Sequence, residues 1–167
     1  MVYTCSMRKV PTHYKERGDK TEKVFAAWLD RSVLPYLYIE QSQLTVPKEL
    51  RGEIKRADYI VGLPLVGSVS VDVKCKDFRN DQMVFNAYEF RNLANYQTFF
   101  MSSVWMACYE PDDMNICYLF LNEWLLCEKI VKINGDDCAR MHRDDMVRID
   151  TREMSFQQAL LMAIDLR

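Results

Sequence analysis

Glycine and proline are scarce in this chain, five of each in 167 residues. That excludes a low-complexity or linker-dominated polypeptide. No apolar run approaches the roughly 18 residues needed to cross a bilayer. The most apolar stretch, residues 116–127, is interrupted by Asn122 and Glu123. Residues 1–10 carry no apolar signal-peptide core, so the expected setting is cytoplasmic, with no membrane partner. Histidine is nearly missing: His13 and His142 stand at no zinc-ligand spacing from a cysteine, and neither is placed for a Cys-His hydrolase. The six cysteines form no Cys-x-x-Cys pair and read as reduced, mostly buried small hydrophobes. No phosphate loop of the G-x-x-x-x-G-K type exists, which excludes an ATPase of that class. A strongly basic balance is also absent: the net charge is -2, which counts against a protein that coats nucleic acid.

What is there is an ordinary globular composition, 49% hydrophobic and 28% charged. The length suits one domain spanning residues 1–167. Charge is unevenly spread. Residues 1–79 hold 14 Lys and Arg against 10 Asp and Glu, whereas residues 80–167 hold 8 against 14. The first half therefore carries a locally positive face. It also carries the most regular stretch of the chain, residues 68–76, Ser-Val-Ser-Val-Asp-Val-Lys-Cys-Lys. Val69, Val71, Val73 and Cys75 fall on one face of a strand, and Ser70, Asp72 and Lys74 on the other. At about 3.3 Å per residue, Asp72 and Lys74 sit roughly 6.6 Å apart on one rigid element. A carboxylate and an ammonium so presented suit a divalent cation and a neighbouring anion. The plain alternative is a solvated polar face with a weak ion pair.

Taken in order, residues 1–18 read as a basic lead-in carrying Arg8, Lys9, Lys15 and Arg17. A helix is expected over 20–34, with Asp19 as N-cap, Glu22 completing a capping box, and a stripe of Val24, Phe25, Trp28, Leu29 and Val33. Glu22 lies at the edge of that stripe, and either bonds the helix start or points into a site. Residues 36–46 look extended, and 48–57 form a polar, basic loop or short helix. Asp58 opens a strand to Pro64 that pairs antiparallel with the central strand through a short turn. Residues 77–85 read as a polar connection. Residues 86–101 read as a helix whose inward face is Tyr88, Leu93, Tyr96, Phe99 and Phe100. Strands over 103–110 and 115–121, a short helix at 122–127 and a short strand at 129–133 follow. Residues 136–153 read as acidic and irregular. A last helix runs from Ser155 to Leu166 with Phe156, Leu160 and Ile164 inward.

The order is thus helix with Glu22, strand, strand opened by Asp58, strand with Asp72-Val73-Lys74, helix, strand. Phosphodiester hydrolysis uses these residue types: carboxylates that hold Mg²⁺, and a lysine that orients water or stabilises the pentacovalent charge. Gly18-Asp-Lys-Thr-Glu22, Asp58 and Asp72-Val-Lys74 together resemble the PD-(D/E)xK nuclease superfamily, of restriction-endonuclease-like fold. The helix start is most similar to Holliday junction resolvases and Mrr-like endonucleases, and the likeness spans roughly residues 18–121. Ala57 stands where the family motif has proline. The resemblance implies an α/β fold, a mixed sheet flanked by helices (αβββαβ core), here with extra C-terminal strands and a helix. It implies Mg²⁺- or Mn²⁺-dependent cleavage of nucleic acid, DNA first, by an endonuclease that is often a homodimer. It implies metal ligation by Asp58, Asp72 and the Val73 carbonyl, assisted by Glu22, with Lys74 catalytic. Lys20, Lys76 and Gln97 are the expected nucleic-acid contacts. The competing expectation is a catalytically silent module of the same fold that binds nucleic acid or a protein. RNA remains open as the substrate, because nothing in the sequence reads a 2′-hydroxyl.

Overall fold

The computed structural model describes residues 12–41 and 46–165. Most of the basic lead-in and residues 42–45 of the expected extended segment lie outside the described residues. The first element, helix α1, runs Thr12–Arg31. The expected start at Asp19 is therefore overturned, and the capping role expected of Asp19 and Glu22 falls with it. Lys15, Glu16 and Arg17 are good helix formers. Nothing crowds Gly18, so a glycine is tolerated there. Arg17 also ties the first turns to Asp77 at 3.2 Å. The helix ends where Val33 takes φ 55° and Pro35 follows.

Among the described residues nine strands follow, in two sheets. Strands β1 Tyr36–Tyr38, β2 Tyr59–Leu63 and β3 Gly67–Cys75 come first. After β4 Gln82–Asn86 comes helix α2, Ala87–Phe100. Strands β5 Val104–Glu110 and β6 Asp113–Leu121 lead to helix α3, Asn122–Cys127. Strands β7 Val131–Ile133, β8 Asp136–His142 and β9 Val147–Asp150 precede helix α4, Phe156–Asp165. The main sheet has the order β1-β2-β3-β5-β6-β9, and the small one β4-β8-β7. Only the β3–β5 pair is parallel among those of the main sheet, with α2 in the crossover. This is a mixed α/β architecture with helices on both faces of the large sheet.

The period of two divides the core. On one face Phe25, Trp28 and Leu29 of α1 and Phe156 and Leu160 of α4 cover Val71, Val73, Trp105, Ala107, Tyr109 and Leu119. On the other, Phe90, Leu93 and Tyr96 of α2, with Met83, Phe85 and Met141 of the small sheet, cover Met106, Cys108, Tyr118 and Phe120. Strand β5 is buried on both faces, which explains its unbroken apolar run.

Strands β4, β8 and β9 correct the sequence reading. Residues 82–86 and most of 136–150 are strands, not irregular chain. Val147-Arg-Ile-Asp150 alternates buried and less buried positions, but its short signal is submerged among acidic neighbours. The expected inward aromatics of α2 are also corrected: Tyr88, Phe99 and Phe100 are exposed, whereas Ala87, Phe90, Leu93 and Tyr96 are buried. The helix ends at Met101 in a left-handed cap, which carries the last two phenylalanines past the covered sheet. Ile164 of α4 and Cys127 are likewise exposed. Among the described residues no helix is long and apolar enough to cross a membrane.

Candidate active site

Strand β3 sits inside the sheet, between β2 and β5. Its polar side does not face solvent. Ser70 and Asp72 have 0% exposure, because α2 lies across that face. A carboxylate so buried requires compensation. Two ammonium groups supply it. Lys74 Nζ lies 2.5 Å from Asp72 Oδ2, and Lys55 Nζ 2.5 Å from Asp72 Oδ1. Glu89, from the first turn of α2, bridges the same two lysines through Oε1 at 2.9 Å from Lys55 and 3.1 Å from Lys74. The result is a closed ring of two carboxylates and two ammoniums.

Asp58 joins this ring from the next strand. The β2–β3 ladder pairs Tyr59 with Val71, so Asp58 stands one step beyond, opposite Asp72. Its backbone N–H donates to the Val71 carbonyl at 3.0 Å. Its carboxylate Oδ2 accepts from the Val73 backbone N–H at 2.8 Å, capping a donor that β2 is too short to reach. In an extended strand the N–H and C=O of one residue point to the same side. The Val73 carbonyl therefore faces the same opening as Asp58. Burial first, and then the charge of Asp72, push the Asp58 carboxyl up to about 7, against the pull of Lys74, Lys55 and the Val73 N–H.

The remaining ionisations follow from the same ring. Burial alone would discharge Lys74, but Asp72, Glu89 and Asp58 outweigh it and its pKa is raised. Burial likewise opposes the charge on Glu89, yet Lys74, Lys55 and Lys76 hold its carboxyl well below the usual carboxylate range. For Lys76 burial wins over Glu89, and its pKa is lowered. Its ammonium lies 5.0 Å from the centroid of the Phe85 ring.

A cleft of about 470 Å³ opens over these groups, lined by Arg17, Glu22, Gln41, Lys55, Asp58, Val73, Lys74, Cys75 and Glu89. Glu22 reaches it because the Tyr59 hydroxyl donates to its backbone carbonyl at 3.0 Å. The Tyr38 phenol, raised to about 12 by burial and by its hydrogen bond to the Glu22 carboxylate, lines a separate cleft on the other side of Glu22, with Asp19, Lys23 and Tyr59. The fold thus brings together Glu22, Asp58, Asp72, Val73 and Lys74. Lys76 continues the polar side of β3, and Lys20 is exposed on α1. Gln97 is not brought to the cleft. Its side chain bonds Glu123 and accepts from the Val104 N–H, level with Ser70 at the other end of β3.

Sequence reasoning missed Lys55 and Glu89. Lys55 lies in a charge-alternating loop with no periodic signal. Glu89 was one polar residue among several on α2. The loop is pinned by the side chains of α2. Asn92 Nδ2 donates to the Gly52 carbonyl at 2.9 Å, Asn95 Nδ2 donates to the Glu53 carbonyl at 2.7 Å, and Lys55 N–H donates to the Asn92 carbonyl at 3.1 Å. Gly52 turns the loop at φ +84°, and a Cβ there would meet the Tyr88 hydroxyl at 3.2 Å.

The donors match a hard divalent cation in kind: oxygen atoms of Asp58, Asp72, Glu22 and the Val73 carbonyl. Among the described residues, no three His, Cys, Asp or Glu side chains are gathered closely enough to hold a metal by themselves. Mg²⁺ is commonly held by one or two carboxylates and keeps several waters, so the Asp58–Asp72 pair satisfies that requirement.

No family model matches the sequence, and no curated protein matches it significantly. Solved structures do match. Hjc, a Holliday junction resolvase from Archaeoglobus fulgidus, superposes with a TM-score of 0.55 at 11% identity, over 84% of this chain and 98% of that one. A nuclease from a fusselovirus is similar over 93% of this chain and 97% of its own, at 7% identity and a TM-score of 0.48. The likeness to the resolvase, read with the strand order and the flanking helices, shows a restriction-endonuclease-like fold.

Proposed function

We propose that the protein is a divalent-metal-dependent nuclease that hydrolyses phosphodiester bonds in DNA, as an endonuclease. The observation that carries this reading is that Glu22, Asp58, Val73 and Lys74 line one cleft, with Asp72 buried against Lys74 beside it, in a fold shared with a nuclease. The resolvase neighbour, which acts on Holliday junctions, supports DNA as the substrate. Cys75, Cys108, Cys117, Cys127 and Cys138 are free thiols, which supports a cytoplasmic setting.

Asp58, Asp72 and the Val73 carbonyl would hold Mg²⁺ or Mn²⁺, with Glu22 assisting. The ion supplies a bound water of lowered pKa and charge neutralisation at the phosphate. Lys74 stands on the rigid strand, its ammonium held by Asp72 and Glu89. It donates to the attacking water or to the oxygens that gain charge in the transition state. Glu89 acts as a positioning residue through Lys74. Lys20 and Lys76 favour the phosphate backbone by charge, and Gln97 has no part in this reading.

Asp72 is covered by ammonium at both oxygens, and that favours a second reading, a silent module that docks nucleic acid or a protein. One assay separates the two. Plasmid, linear single and double strands, a four-way junction and RNA are incubated with Mg²⁺, Mn²⁺ or EDTA. Metal-dependent cutting that Lys74→Ala lowers by about 10³-fold or more is the expected result. Binding of these substrates without cutting by folded protein would select the silent module instead.

A further inference from the structure

Lys55 belongs to no motif, yet its ammonium makes one of the closest ion pairs in the molecule. It lies 2.5 Å from Asp72 Oδ1 and 2.9 Å from Glu89 Oε1. Lys74 covers the other oxygen of Asp72. A divalent cation bonds oxygen at about 2.0–2.1 Å, and both Asp72 oxygens already hold an ammonium at 2.5 Å, so neither has room for the ion while its ammonium stays. One ammonium must therefore yield if Asp72 is to take a metal.

Geometry selects which one. Lys74 sits on a central strand two residues from Asp72, and its side chain is 17% exposed against 25% for Lys55. Lys55 projects from a loop on a flexible four-carbon stem. Its backbone is fixed by Asn92, so the side chain can swing while the loop stays. It also has somewhere to go. Lys55 and Glu89 line both the catalytic cleft and an adjoining one of about 490 Å³. The adjoining cleft is walled by Arg51, Gly52, Arg56, Tyr88 and Asn92.

We infer that Lys55 is a displaceable counterion: its ammonium holds the cation position at Asp72 until a divalent metal arrives, then moves into the adjoining cleft, where it joins Arg51 and Arg56 as a ligand for substrate phosphate. This rests on the nuclease reading and adds an exchange to it. The exchange keeps the buried carboxylate neutralised at every stage. It also couples metal loading to nucleic-acid affinity, since each event frees or occupies the same ammonium.

The test is calorimetric titration of Mn²⁺ into the full-length protein without nucleic acid. Lys55→Met removes the competitor and is expected to bind Mn²⁺ about tenfold more tightly than wild type. Its melting temperature is expected to fall in EDTA and to recover with Mn²⁺. Wild-type binding with no gain in Lys55→Met overturns the exchange and leaves the metal reading intact. No binding by either protein overturns both. A measurement on unmodified protein covers the case in which the variant fails to fold. Acetylation of Lys55 by acetic anhydride, read by peptide mass spectrometry, is expected to rise severalfold on adding Mg²⁺. Labelling that ignores Mg²⁺ overturns the inference.

Discussion

Burial and the neighbouring Asp72 raise the Asp58 carboxyl to about 7, and this gives the metal-free protein a pH signature. The folded state binds a proton that the unfolded chain releases near pH 4. A raised carboxyl stabilises the fold below the unfolded value, and that stability is lost as the pH rises through 7. Thermal unfolding in EDTA should therefore show stability falling by roughly 2–4 kcal/mol between pH 5 and 8. Asp58→Asn, which cannot ionise, should flatten the slope. A wild-type protein with no slope in that window would mean that Asp58 is charged throughout. At this scale strand alternation and chain order put Asp58, Asp72 and Lys74 on neighbouring strands, where the fold sets them side by side, and Glu22, expected also as a cap, lines the adjacent cleft. The sequence missed Lys55 and Glu89, whose meaning exists only once α2 is laid over β3.

Elements were legible where a period ran long enough to stand out. The nine residues of β3, the double-sided apolar run of β5 and the α1 stripe of Phe25, Trp28 and Leu29 were read, whereas Val33, expected in that stripe, lies past the helix end and is exposed. Strands β4, β8 and β9 were not, since four to seven residues of mixed polarity have no period to detect, whereas the short β7 was. Helix α1 offers a direct stability test. Trp28 is buried between Phe25 and Phe156 at ring-centroid distances of 6.0 and 5.2 Å, and its indole N–H donates to the Met154 carbonyl at 2.8 Å. Trp28→Ala should cost about 3–5 kcal/mol in urea unfolding. A loss below 1 kcal/mol would contradict this packing. The α2–loop seam offers a functional one. Asn92→Ala leaves the Gly52 carbonyl without its side-chain donor, at a cost of about 1–3 kcal/mol. It also frees the loop that presents Lys55. Cleavage should fall severalfold more than global stability explains, and proteolysis should nick residues 48–56 first. A loss of activity that merely tracks the unfolded fraction would deny the seam a role in presentation.

Over the whole molecule the net charge of -2 hides a division of labour that the fold makes spatial. The cleft and its neighbour gather Arg17, Arg51, Lys55, Arg56 and Lys74 from the positive half of the chain. The acidic half supplies much of the small sheet, with Asp136 and Asp137 at β8. Asp136 and Asp137 line a further cleft that shares Asn86, Tyr88 and Asn92 with the basic neighbour, so a nucleic acid lying on the basic pair would be repelled at that border. Phosphate contacts release counterions, and log affinity falls by about 0.9 per contact for each decade of salt. With about four to five cations reaching phosphates, the slope should be close to -4. The measurement is fluorescence anisotropy of labelled DNA between 50 and 200 mM KCl, with Ca²⁺ as a non-hydrolytic ion. Replacing Arg51 and Arg56 together by Gln should reduce the slope by about 2 and weaken all DNA sequences alike. An unchanged slope would move the nucleic acid off this pair of clefts and onto some other face. In that case the ring around Asp72 would have to be explained by folding alone, as a buried ion network that fixes α2 and its loop on the sheet.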